Sequence, residues 1–176
     1  MRIFLYILVY FILVGCASMN KFSTKKNRNG DLIGIVTKSD FQQEPYGSKW
    51  FNDFYSWYEV DQPIVEEIKQ HLKGITIKGF LGTWCSDSQR EVPNFYKLLD
   101  NVNFNYKKLK LIAVDKDKKA GGLEKKYKLE KVPTFIFYKN GKEIGRFVEY
   151  APNNSTIEKD ILTIISGKPY KHPYQK

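Results

Sequence analysis

The stretch GTWCSDSQREVP, Gly82 to Pro93, follows an apolar run, ITIKGFL from Ile75 to Leu81, and leads into Val92, Phe95, Tyr96 and Leu99 at helical spacing. Cys85 is therefore expected at a strand-to-helix turn. A thiol placed there faces backbone N–H groups without intrahelical partners and the positive end of the helix dipole, which favours the thiolate. A second cysteine close by would make a redox pair, but the only other cysteine in the chain is Cys16. A lone thiol in this position is either a nucleophile or a small packing residue. Its neighbours bear on its reactivity: Asp87 suits a helix N-terminus yet sets a negative charge against a thiolate two residues away, and Ser88 supplies a hydroxyl but no thiol.

Working outward, DLIGIVT (Asp31 to Thr37) is a short strand, and Trp50, Phe51, Phe54, Tyr55 and Tyr58 recur at helical spacing as an aromatic stripe that reads as core. Asp61 precedes QPIVEEIKQHLKG as an N-cap, with Pro63 in the first turn and Gly74 as the stop. After the Cys85 helix, KLKLIAVD is a buried strand ending at Asp115, and GGLEKKYKL is expected to form a short helix. VPTFIFY and KEIGRFVEY flank Asn140-Gly141, a dipeptide that tolerates the positive φ angles of a tight hairpin. STIEKDILTIISG closes the domain as an amphipathic helix with Ser155 as cap, and the tail from 169 to 176 is expected to be loose. The alternation implies an α/β domain with a mixed sheet covered by helices.

These motifs together resemble the thioredoxin family: WCSDS at a strand-to-helix turn, Pro93 eight residues after the cysteine, VPTFIFYKNG after a further strand, and a closing helix. The resemblance covers about Asp61 to Gly167. It implies a three-layer α/β/α domain, here residues 61–168, with residues 31–60 as an aromatic-rich N-terminal elaboration. It further implies Cys85 as catalytic nucleophile and a substrate groove of Trp84, Val132, Pro133 and Thr134, with Pro133 as a cis-proline lying against the cysteine. Two departures are coherent with each other. Ser88 stands where the family has its resolving cysteine, and Gly79 stands where it commonly buries an acid that serves that second thiol. A serine cannot carry out thiol-disulfide exchange, so a mixed disulfide at Cys85 would need an external thiol for release.

The N-terminus has one positive charge, Arg2, then an apolar run from Ile3 to Val14, shorter than the roughly 20 residues that span a bilayer. This reads as an export signal over residues 1–15. LVGC, Leu13 to Cys16, resembles the lipobox of bacterial lipoproteins, in which the cysteine is lipidated and becomes the new N-terminus. Residues 16–30 then read as a lipidated end and flexible tether. On this reading Cys85 is the sole thiol of the mature chain, which sits in the cell envelope, and Ala17 points toward the outer membrane and the periplasm.

The expected partners are thiols or disulfides of exported proteins, an external reducing thiol, and the membrane through the lipid. The net charge of +10 is spread over lysine pairs interrupted by acids, without base-stacking aromatics, so nucleic acid is not a partner. No metal or other cofactor is implied: His71 and His172 lack companion ligands and read as surface residues, and AGG at Ala120 to Gly122 lacks the Lys-Ser or Lys-Thr of a phosphate loop. A peroxide site of peroxiredoxin type would need a threonine where Gly82 stands. Two functions remain: a monothiol thiol-disulfide oxidoreductase or isomerase, and a non-catalytic thioredoxin-fold module holding a protein partner.

Overall fold

The structure, a computed structural model, describes residues 24–175. The expected export segment, Cys16 and the first part of the tether lie outside the described residues. The strands are β1 (Lys25–Lys26), β2 (Leu32–Val36), β3 (Ile75–Leu81), β4 (Leu109–Ala113), β5 (Thr134–Lys139) and β6 (Lys142–Val148), in one sheet of order β1-β2-β4-β3-β5-β6. Neighbours β3 and β4 run parallel, and every other neighbouring pair is antiparallel. The connections explain this. Helix α4 (Ser86–Asn101) carries the chain from β3 back to the start of β4, a crossover that leaves the two strands parallel. Asn140 and Gly141, at φ 52° and 83°, turn β5 tightly into β6.

The helices are α1 (Lys38–Gln42), α2 (Asn52–Trp57), α3 (Gln62–His71), α4 (Ser86–Asn101) and α5 (Ile157–Ile165), with a π-helical turn at Gly47–Phe51. Alternation along β3 sends Ile75, Ile77 and Leu81 to one face of the sheet and Phe80 to the other. Four helices bury side chains on the first face, with Phe41, Val65, Ile68, Val92, Phe95, Ile161 and Ile164, and α2 packs the partly buried Phe54 and Tyr55 against them. Phe95 of α4 stacks on Phe135 of β5 with ring centroids 4.0 Å apart.

The second face is covered by residues 114–133, where Ala120, Leu123, Tyr127 and Leu129 pack on Phe80, Ile112 and Ile136. This is the outer layer expected of a thioredoxin-like fold, but the short helix predicted for GGLEKKYKL is a series of turns. Gly121, Gly122 and Lys128 have positive φ, which interrupts the run, and the Glu124 carboxylate accepts from the Ala120 and Gly122 N–H groups. Too few residues remain between the breaks to nucleate a helix.

The cap of α3 forms as expected, Ile64 N–H donating to Asp61 Oδ1 at 3.3 Å. The aromatic stripe is core in part: Trp50 and Phe51 are buried, and Phe51 meets Tyr96 of α4 edge-on at 6.0 Å. Three readings need correction. Residues 24–30, assigned to the tether, form β1 and a turn closed by Asn27, whose Oδ1 accepts from the Asn29 and Asp31 N–H groups. The cap of α5 is Thr156, which accepts from Lys159 N–H, while Ser155 Oγ donates to Asp160 Oδ1. The tail is docked rather than loose, because Tyr170 O–H donates to the buried Asp160 carboxylate at 2.9 Å and Lys131 Nζ sits over the Tyr174 ring. His172, read as an ordinary surface residue, is accordingly half-buried beside Arg146 and Thr134.

Candidate active site

Strand β3 delivers the chain to Gly82 at the edge of the helical layer, where α4 starts immediately after Cys85. Cys85 is the N-cap residue of α4 and its side chain does not cap the helix. Its sulfur is half-buried and donates to the Val132 carbonyl at 3.3 Å, across 47 residues of chain. The Val132-Pro133 peptide is cis. Glu149 N–H, just past β6, donates to the Pro133 carbonyl at 2.7 Å, so the proline turn is held from behind by β6.

The other expected groove residues divide. Trp84 is half-buried: its Nε1 donates to the Val114 carbonyl at 2.9 Å and its ring lies on Gly82. A β-carbon at Gly82 would come within 2.5 Å of Trp84 Cε2, so only glycine allows this approach. Thr134 is buried, and its hydroxyl donates to the Lys131 carbonyl at 2.7 Å. Through this bond it ties the proline turn.

Asp87 and Ser88 also have definite partners. Asp87 Oδ1 accepts from Arg90 Nη2 at 2.9 Å, so a guanidinium partly offsets the negative field it casts toward Cys85. Ser88, 1% exposed, accepts from Gly82 N–H at 3.2 Å. It has become part of the turn's own hydrogen bonding. At Gly79 a β-carbon would stand 2.3 Å from Leu111 Cδ2 and 2.8 Å from Phe135 Cδ1, so no acid fits at that position. Apolar side chains have closed the space.

Several residues of the site carried no sequence signal. Thr83 is buried and its hydroxyl accepts from Leu32 N–H at 3.1 Å, binding the N-terminal hairpin to the cysteine turn. Arg90 also donates through Nε to Glu91 Oε1 at 2.8 Å. The spacing of Asp87 and Arg90 by three residues was a legible hint of that ion pair. Burial pushes the Glu91 carboxyl above the usual carboxylate range, with Arg90 opposing it. Tyr58, from the aromatic stripe, donates its O–H to Glu158 of α5, and burial followed by this bond pushes the phenol up. Among the described residues no three His, Cys, Asp or Glu side chains converge as a metal ligand set.

A parallel β-α-β crossover with a cysteine at the helix N-terminus, facing an X-Pro turn that begins the next strand, defines a class: α/β proteins that set a single thiol against the backbone of an X-Pro turn. Comparison with known proteins identifies the family. The family model described as thioredoxin matches residues 59–162, and the chain belongs to the thioredoxin family. The chloroplastic thioredoxin Y1 of Arabidopsis thaliana is 35% identical over 133 residues, covering 72% of this chain and 67% of its own. The chloroplastic thioredoxin Y of Oryza sativa subsp. japonica is 28% identical over 93 residues, covering 53% of each chain. The chain thus spans about half the length of some of the curated relatives it matches. Among solved structures, a thioredoxin of Fasciola hepatica is 27% identical, covering 48% of this chain and 77% of its own, with a TM-score of 0.33.

Proposed function

We propose that this chain is a monothiol thiol-disulfide exchange protein that acts on exported proteins from a lipid anchor at Cys16 in the bacterial cell envelope. The observation that carries the proposal is the 3.3 Å approach of the partly buried Cys85 sulfur to the Val132 carbonyl, which sets the thiol against the turn that the family resemblance assigns to pairing with an extended substrate. The anchor and the compartment rest on the sequence alone, on Arg2, the apolar run and LVGC.

The chemistry is a two-step exchange. The Cys85 sulfur, its proton given up to solvent, attacks one sulfur of a substrate disulfide. That S–S bond breaks, a Cys85 mixed disulfide forms, and the departing sulfur leaves as a thiolate and takes a proton. The second step needs another thiol, because Ser88 offers none. A thiolate from an external protein or small molecule attacks the substrate sulfur and releases Cys85; a second thiol of the substrate itself would do the same and leave that disulfide rearranged. No net electrons are gained or lost by this chain in either step.

Trapping tests the reading: in cells alkylated under acid quench, Cys85 is expected to carry mixed disulfides with envelope proteins, and Cys85→Ser is expected to lose them all. Absence of such adducts from the wild type overturns it. A second reading, a binding module without chemistry, is favoured by one observation: Cys85 also packs against Phe80, Val132 and Ile136, as a buried hydrophobe would. Cys85→Ala separates the two, since partner capture and phenotype survive the substitution only if the module does no chemistry.

A further inference from the structure

A pocket of about 490 Å³ opens between the first turns of α4, the loop after β6 and the start of α5. Asp87, Arg90, Glu91 and Asn94 line it from α4, with Tyr58 and Tyr150 among the facing residues. The pocket shares elements with the thiol site. Asp87 is two residues from Cys85, and Tyr150 follows Glu149, which holds the Pro133 carbonyl.

Two observations mark the pocket as able to take a polar ligand. Asn94 is 8% exposed, and its carboxamide has no hydrogen-bond partner among the described residues. No wholly buried side-chain nitrogen or oxygen among the described residues lacks a partner, so the amide of this largely buried residue opens to the pocket's solvent, where a ligand can meet it. Glu91 is 7% exposed, and only its Oε1 is engaged, by Arg90; Oε2 has no partner among the described residues. The unused groups include acceptors from Glu91, Asp87 and Asn94, and two carboxylates against one guanidinium leave the α4 wall with a single negative charge, in a chain whose net charge is +10. The start of α5 does not reverse this preference, because Glu158 and Asp160 in its first turn already answer the helix dipole.

Resting on the exchange reading above, we infer that this pocket receives a lysine or arginine side chain of the substrate segment that carries the attacked cysteine. The ammonium or guanidinium donates to Glu91 Oε2, Asp87 Oδ2 and Asn94 Oδ1, and the stem lies along Tyr58 and Tyr150. An extended peptide advances about 3.3 Å per residue, so a basic residue within a few positions of the target cysteine reaches the pocket.

The test compares peptides that share one cysteine, blocked as a mixed disulfide with neutral 2-mercaptoethanol, and differ only by Lys, Arg, norleucine or Glu near it. With the full chain, Lys and Arg peptides are expected to react with Cys85 about tenfold faster than the norleucine peptide, and the Glu peptide more slowly still. Glu91→Gln and Asn94→Leu are expected to shrink the Lys preference to about twofold, each rate being divided by the same variant's rate with bis(2-hydroxyethyl) disulfide. Asn94→Asp is expected to raise the preference, an outcome that loss of folding cannot imitate. Equal rates for all four peptides, or a preference indifferent to these substitutions, overturn the inference. If Cys85 reacts with no disulfide, it is the exchange reading that fails. Calorimetric binding of the same peptides with serine in place of cysteine then decides the pocket: tighter Lys binding lost in Glu91→Gln supports it, and equal binding overturns it.

Discussion

Around Cys85 single atoms decide what the turn tolerates. A methyl at Gly82 would meet the Trp84 ring at 2.5 to 2.8 Å, and the ring is held in place by its bond to the Val114 carbonyl. Gly82→Ala is therefore expected to displace Trp84 and destabilise the fold by about 1–3 kcal/mol, measured by the midpoint of urea unfolding. Thr83→Val keeps the shape but removes the acceptor for Leu32 N–H, which then lies buried and unpaired. The expected cost is about 1–3 kcal/mol, with faster hydrogen exchange at the Leu32 amide while amides of α5 stay protected to near the new global stability. Ser88→Cys tests the missing second thiol. It is expected to shorten the lifetime of Cys85 mixed disulfides in the trapping experiment, because an internal thiol can then expel the substrate.

Between elements, the strongest polar junction lies away from the thiol. Asp100 of α4 accepts from Lys38 of α1, Tyr55 of α2 and Tyr106, which fastens the N-terminal elaboration to the domain. Burial pushes the Asp100 carboxyl up, but the bonds from Lys38, Tyr106 and Tyr55 outweigh it and hold the group below the usual carboxylate range. A carboxyl depressed in the folded state releases its proton more readily there than in the unfolded chain. Its contribution is thus present above the unfolded pKa of about 4 and lost as pH falls through the folded value. Asp100→Asn is expected to lower stability at neutral pH and to flatten the acid limb of the stability profile, measured by thermal unfolding between pH 2 and pH 7. Sequence reading found α3, α4 and the β5-β6 hairpin because their signals are local: a cap, a period and an Asn-Gly turn. It misplaced the helix at GGLEKKYKL because the Glu124 carboxylate is spent on the Ala120 and Gly122 N–H groups, and the adjacent glycines take positive φ.

For the molecule as a whole, the C-terminal tail closes the domain near the proline turn. Tyr170 supplies a hydrogen bond to Asp160, whose carboxyl burial pushes up, with Ser155 and Tyr170 opposing. Truncation after Gly167 is expected to lower stability by about 1 kcal/mol, or roughly 2–4 °C in Tm, and to leave Lys131 without the Tyr174 ring. The tail had no apolar periodicity to announce this docking. Its contacts are Tyr170, which bonds to Asp160 ten residues back, and Tyr174, whose ring lies under Lys131 of the proline turn.

The sequence alone determined that a strand runs into a cysteine at a helix start, that no second thiol accompanies it, and that a Val-Pro-Thr segment opens the strand before an Asn-Gly hairpin. These follow from periodicity, caps and turn residues, whose physics is confined to a few neighbours. Only the tertiary structure decided that the Cys85 sulfur and the Val132 carbonyl meet, that Leu111 and Phe135 close the space at Gly79, and that Tyr58 and Asn94 share one pocket. Such contacts join residues far apart in the chain, and they depend on how packed helices and strands are set against each other, which no local preference encodes.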